Sequence, residues 1–96
     1  LKQAQKMQRA IEDAEEELRR ATVVGTAGGG VVRIELGGDW RVEKVEISED
    51  VLRNPDKAFL EDSIRGALRD AHAKVTRLRE DRRRQITGGL DLPGIL

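Results

Sequence analysis

The side chains in this sequence that could do chemistry are mostly charged, and the two signs are sorted along the chain. Lys74, Arg77, Arg79, Arg82, Arg83 and Arg84 crowd one stretch near the C-terminal end, opposed there only by Glu80 and Asp81. Lys2, Lys6 and Arg9 open the chain with no acid among them, while Glu12, Asp13, Glu15, Glu16 and Glu17 form a run between. The 18 basic and 18 acidic residues cancel to a net charge of zero. A binding surface, however, responds to local charge and not to the sum. Clustered ammonium and guanidinium groups are suited to the oxygens of a polyanion.

Other constellations are weaker. Gly25-Thr26-Ala27-Gly28-Gly29-Gly30 has the glycine content of a phosphate loop, but a phosphate loop needs a helix after it to aim amide groups at the anion. Here Val31-Val32-Arg33-Ile34-Glu35-Leu36 follows, so a turn between strands is expected. The Glu12–Glu17 run matches no loop-based calcium site and reads as a solvated helix face. His72 stands alone on a basic face without a readable nucleophile. The sequence has no Cys, so neither a disulfide nor a thiolate ligand is available. No enzyme motif survives, and no cofactor, metal or small-molecule substrate is expected. No apolar run approaches the roughly 20 residues of a membrane span, and no signal-peptide pattern is present. The chain opens on Leu1 rather than Met, so preceding residues are expected in the natural protein.

Ninety-six residues, 38% charged and 38% hydrophobic with one Trp, one Phe and no Tyr, describe one domain with a small aliphatic core. Such a domain gains from support by a partner chain. Residues 1–21 read as a helix, because Ala4, Met7, Ile11, Ala14, Leu18 and Ala21 alternate spacings of three and four. Glu15–Arg19 and Glu16–Arg20 are favourable i,i+4 pairs. Residues 22–26 are β-branched, residues 27–30 a turn, and Val32, Ile34 and Leu36 alternate with Arg33 and Glu35 as in a half-buried strand. After a Gly37-Gly38-Asp39 turn, a third strand runs from about Trp40 to Ser48. Its apolar phase breaks between Val42 and Val45, which predicts a bulge or a second contact face. Trp40 and Val42 are expected to point opposite to Val45 and Ile47. A half-buried Trp is the simple expectation; contact of Trp40 and Val42 with a second subunit is the sharper one.

A turn is expected over residues 49–53. Asn54-Pro55-Asp56 then reads as a helix start with an Asn cap and Pro at the first position, and the helix should run to about Gln85. Leu60, Ile64, Ala67, Leu68, Ala71, Val75 and Leu78 form its apolar stripe, and Gly88-Gly89 ends it. The expected fold is α+β, an α-β-β-β-α chain with a three-stranded antiparallel meander. It forms a single domain over residues 1–87, followed by a Gly/Pro/Leu tail over residues 88–96. The second helix spans roughly 45 Å, against about 20–25 Å for the strands. It must therefore project past the sheet and be covered by the first helix or by a second chain.

On a helical wheel Arg65, Arg69, His72, Thr76, Arg79 and Arg83 fall within roughly 80° of each other, away from the apolar stripe. Lys74 has Asp70 four residues back, and Arg77 has Asp81 four ahead. If the helices pack antiparallel, their distal tips are the start of the first and the end of the second, and both are basic. One reading is a pair of positive prongs for a polyanion; the other is two solvated helix ends. Trp40 and Phe59 are the only aromatics, and neither is near the basic tips by this reading. Base stacking on rings, as single-stranded nucleic-acid binders use it, is therefore a poorer fit than duplex DNA held by its phosphates.

The opening Leu1-Lys2-Gln3-Ala4-Gln5-Lys6-Met7-Gln8, the glycine segment from Gly25 through Gly28-Gly29-Gly30-Val31-Val32, Val45-Glu46-Ile47, Leu60-Glu61-Asp62, Asp70-Ala71 and the Leu-Pro-Gly of the tail carry a resemblance. In this order and spacing they resemble the YbaB/EbfC family of bacterial nucleoid-associated proteins. The resemblance implies a tweezer-like homodimer without catalysis, located in the cytoplasm at the nucleoid and binding double-stranded DNA with low sequence specificity. It implies DNA contact by the helices, here Lys2, Lys6, Arg9, Arg79, Arg82, Arg83 and Arg84, with Arg65, Arg69, Lys74 and Arg77 as further candidates. Trp40 and Arg41 after the turn depart from the family's usual small or polar start to the third strand. A protein-interaction module, using the heptad seam and the apolar tail without any nucleic acid, is the competing function.

Overall fold

The computed structural model describes every residue except Asp91 and Pro93. The tail's Leu-Pro-Gly element therefore lies partly outside the described residues. The order is α1 (Lys2–Arg20), β1 (Thr22–Ala27), β2 (Val32–Gly37), β3 (Val42–Ile47), α2 (Glu49–Arg53) and α3 (Lys57–Thr87). The strands form one antiparallel sheet in the order β1-β2-β3. The expected α-β-β-β-α architecture is present, with one short helix added.

That addition and the start of α3 correct the sequence reading for one reason: caps are chosen by hydrogen bonds, not by residue type alone. The Ser48 hydroxyl accepts from the Asp50 amide and starts α2 where a turn was expected. The Asp56 carboxylate accepts from the Phe59 amide at 3.1 Å, so α3 begins at Lys57. Asn54 instead ends α2. At the far end Gly88 takes a left-handed conformation with φ 65° and closes α3 on the Arg84 carbonyl.

The core lies between one face of the sheet and one side of α3. Val32, Ile34 and Leu36 alternate along β2 and are buried with Ala67, Ala71 and Val75, which recur every four residues along α3. Small residues at that spacing let the helix approach the sheet closely. Gly25 completes the fit: a Cβ there would collide with the Ala67 carbonyl oxygen and the Ala71 amide nitrogen, both backbone atoms. The expected stripe of α3 is thus divided. Its Ala67–Ala71–Val75 row is buried, while Ile64 and Leu68 stay 36% and 46% exposed.

The bulge expected in β3 is present, since the register shifts between Glu35 and Leu36. Its consequence differs from the expectation. Val42 pairs with Leu36, Val45 with Ile34 and Ile47 with Val32. Paired residues in antiparallel strands share a face. The extra residue therefore restores the phase, and Val42 joins Val45 and Ile47 on the helix-bearing face instead of opposing them. Trp40 precedes the strand with φ 74°, and its ring lies 4.6 Å from that of His72 on α3.

The two sheet edges are treated differently. Along β1 the Thr26 amide donates to the Asp70 carboxylate at 3.0 Å, and Lys74 donates to the Val24 carbonyl at 2.7 Å. Lys74 also pairs with Asp70 at 3.3 Å, as the sequence predicted. This edge is closed by α3. The Thr26 amide first, and then Lys74, hold the Asp70 carboxyl below its ordinary value of 3.8. A carboxyl lowered on folding contributes stability that is complete above 3.8 and is lost as pH falls through the lowered value. Asp70→Asn should therefore destabilise the protein at neutral pH, and the difference from wild type should shrink at an acid pH below the lowered value. Urea melts at both pH values check this, and an equal difference at both would refute it.

Candidate nucleic-acid interface

The geometry of the basic residues follows from how the two long helices leave the sheet. α3 runs antiparallel to β1, with Ser63 against Gly28 at one end and Arg79 at Gly38 at the other. α1 meets the sheet only at its C-terminal end. There Ala14 and Leu18 are buried, and Gly38 donates to the Ala21 carbonyl at 2.9 Å. A Cβ on Gly38 would press into the Leu18 carbonyl, so glycine lets the turn seat against α1. The molecule measures 62 × 21 × 16 Å. α3 alone accounts for about 46 Å of the long axis, so the free end of α1 extends beyond it. From Leu18 to Lys2 is about 24 Å of helix, against about 12 Å from Arg79 to Thr87.

Lys2, Lys6 and Arg9 occupy that outer end. All three are exposed and have no ion pair among the described residues. The first turn of α1 contains no acid. A helix N-terminus already carries about half a positive charge, so lysines there cost the helix stability and concentrate positive potential. Amide groups and ammonium groups at this end act on an anion in the same sense. Gln5, Gln8, Arg9 and Glu12 line a shallow cleft of about 250 Å³ beside it.

The basic run of α3 is placed differently. Arg79 donates to Glu15 at 2.8 Å, to the Gly38 carbonyl at 2.7 Å and to the Leu96 carbonyl at 3.2 Å, and its side chain is only 15% exposed. Arg82 reaches Glu17 at 2.5 Å and Gln85 at 2.8 Å. Arg84 pairs with Asp81 at 3.3 Å and with Glu80 at 3.9 Å. Arg83 is half-buried, has no ion pair among the described residues, and lines a cavity of about 300 Å³ with Trp40, Thr76, Arg79, Glu80 and Leu96. Arg65 pairs with Asp62 at 3.1 Å. Arg69 and Arg77 are exposed without an ion pair among the described residues.

Several sequence expectations change here. Glu15 pairs with Arg79 of α3 and not with Arg19, which takes Glu16 at 3.1 Å; the Glu16–Arg20 pair forms at 3.1 Å as expected. Asp81 pairs with Arg84, not Arg77. Glu15 and Glu17 are not simply a solvated face. Arg79 does not point away from the packed side of α3, because past the end of the sheet the neighbour of α3 becomes α1 and the buried face rotates. Trp40 lies beside Arg79 and Arg83, so an aromatic ring is near basic residues after all. The signal for the cross-helix pairs was present as an acid run on one helix and a basic run on the other, but their alignment is a tertiary property.

The comparisons with known proteins agree with this architecture. Residues 1–90 match the family model described as the YbaB/EbfC DNA-binding family. A nucleoid-associated protein of Chloroflexus aurantiacus is 38% identical over 90 residues, covering 94% of this chain and 90% of that protein. A nucleoid-associated protein of Rickettsia akari is 40% identical over 91 residues, covering 95% and 82%. The crystal structure of an uncharacterized protein of Helicobacter pylori, HP0035, shares the fold with a TM-score of 0.79 at 21% identity, over 88% of this chain and 89% of that one. With projecting helices on a three-stranded sheet and a family match running almost from end to end, the chain belongs to the YbaB/EbfC DNA-binding family.

Proposed function

We propose that this protein is a nucleoid-associated protein of the bacterial cytoplasm that binds double-stranded DNA, as a homodimer, with low sequence specificity. The observation that carries the reading is the outer end of α1, where Lys2, Lys6 and Arg9 stand exposed, with no ion pair among the described residues, beside an acid-free helix N-terminus. These groups suit phosphate oxygens, which position a protein without reading sequence. Arg83, Arg69 and Arg77 supplement them; Arg82 and Arg84 are already paired with acids. No catalytic step belongs to this reading. Among the described residues no helix is long and apolar enough to cross a membrane.

Support for the homodimer comes from the open side of the sheet. α3 covers β1 and β2 and leaves Val42 and Val45 of β3 uncovered, while Ile47 packs against the core. Val42 and Val45 are 60% and 53% exposed, and Ile64, Leu68 and Trp40 are exposed apolar residues as well. A second copy covers this surface with the same surface, as two-fold symmetry requires, and presents two basic α1 ends on one assembly.

The test is a duplex-DNA gel shift at several salt concentrations. The logarithm of the affinity should fall linearly with the logarithm of salt, by about 0.9 per phosphate contact. Replacing Lys2, Lys6 and Arg9 with Gln should weaken all duplex sequences alike and flatten that slope. Affinity that barely changes with salt would overturn the phosphate-contact reading.

A further inference from the structure

Arg79 has the sequence context of a DNA contact and the structural context of something else. All three guanidinium nitrogens are in use, each toward a different part of the chain: Nη2 to Glu15 on α1, Nη1 to the Gly38 carbonyl in the β2–β3 turn, and Nε to the Leu96 carbonyl in the tail. The Glu15 carboxylate neutralises its charge at 2.8 Å. Releasing Arg79 to a phosphate would leave the Gly38 carbonyl and Glu15 without it. The residue sits where α3 leaves the sheet and α1 arrives, at the base of the projecting helix pair.

We infer that Arg79 is a positioning residue, a tie that fixes α1 relative to α3 and so sets where Lys2, Lys6 and Arg9 are presented. Glu15 is its working partner. This rests on the DNA-binding reading above for its consequence, but not for its geometry. Lysine cannot substitute, because one ammonium group lacks the rigid planar fork that serves three divergent acceptors. A lever argument gives the sensitivity: Lys2 lies 13 residues, about 20 Å, from Glu15 along α1, so a small loosening at the base becomes a large spread at the tip.

The sign of one substitution separates this from a phosphate contact. Glu15→Gln removes a negative charge from a protein that binds a polyanion. If Arg79 were a contact restrained by Glu15, or if only net charge mattered, E15Q would bind duplex DNA more tightly. A positioning role requires weaker binding, by about fivefold, with the salt slope kept, because ordered presentation of the cations is lost and no phosphate contact is removed. R79K should behave the same way although it preserves charge.

A second readout does not use DNA. The sequence has no Cys, so Gln5→Cys with Gln85→Cys, both exposed positions, accepts spin labels at those two sites only. Labelled chains diluted with unlabelled ones report the intrachain distance between the α1 and α3 ends. A narrow distribution is expected in the parent and a broad one when E15Q or R79K is added. Unchanged distances would overturn the tie, and so would E15Q binding DNA as tightly as the parent or more so. If the parent binds no duplex DNA, the DNA reading fails while the distances still decide the role of Arg79.

Discussion

Gly25→Ala is expected to destabilise the fold by about 3 kcal/mol or more, at the upper end of what overpacking costs. The added methyl group would meet the Ala67 carbonyl oxygen and the Ala71 amide nitrogen, and the Ala71 methyl group lies 2.7 Å from the same point. A flexible side chain could move aside, but backbone atoms of a helix cannot shift without moving the whole helix. Lifting α3 off β1 would open gaps around Ala67, Ala71 and Val75, which with Val32, Ile34 and Leu36 form the core. It would also pull Asp70 and Lys74 from the β1 edge they close. No second substitution at Ala71 should rescue the variant, since the obstruction is main chain. Urea denaturation followed by circular dichroism measures the loss. A Gly25→Ala midpoint matching wild type would mean that α3 does not sit this close to the sheet.

Leu68→Glu should leave the folded chain intact and abolish its self-association. Leu68 is 46% exposed, and Val42 and Val45 of β3 are more exposed still. A carboxylate there is hydrated in the isolated chain, so folding should change by no more than about 0.5 kcal/mol. In the proposed pair the same position is enclosed by a second copy. An unpaired charge enclosed at an interface costs several kcal/mol, and the two-fold axis imposes that cost twice. Light scattering should then report half the mass of the wild-type particle. Duplex DNA affinity should fall by about 100-fold, because two basic ends no longer bind as one unit. Val45→Lys on the same exposed surface should act alike, because the pair would enclose an unpaired ammonium group. Leu68→Glu particles of unchanged mass would place the pairing surface elsewhere and remove the β3 face from the proposal.

The sequence was legible where the signal is local. Period-two alternation at Val32, Ile34 and Leu36 and the heptad spacing of Ala14 and Leu18 identified buried residues correctly, because a side chain's face is fixed by backbone geometry within a few residues. The broken phase between Val42 and Val45 likewise announced a bulge. Its consequence was misread, since whether a bulge turns side chains away or restores their face depends on the partner strand's register. The start of α3 was displaced because Asn54 and Asp56 are both good cap types, and only Asp56 reaches an amide, that of Phe59.

The basic residues divide along the same line. By itself the sequence determined that cations cluster at the start of one helix and the end of another, with acids between, because composition and helical spacing are intrinsic to the chain. It also determined that the first nine residues carry no acid, and Lys2, Lys6 and Arg9 have no ion pair among the described residues. Which cations of α3 remain available was decided only by tertiary structure. Arg79 and Arg82 meet Glu15 and Glu17 across more than 60 residues of sequence, and Arg83 meets neither. Ion pairs depend on distances of a few ångströms between side chains on separate helices. Those distances are set by where Gly38, Leu18 and the sheet end bring the helices together.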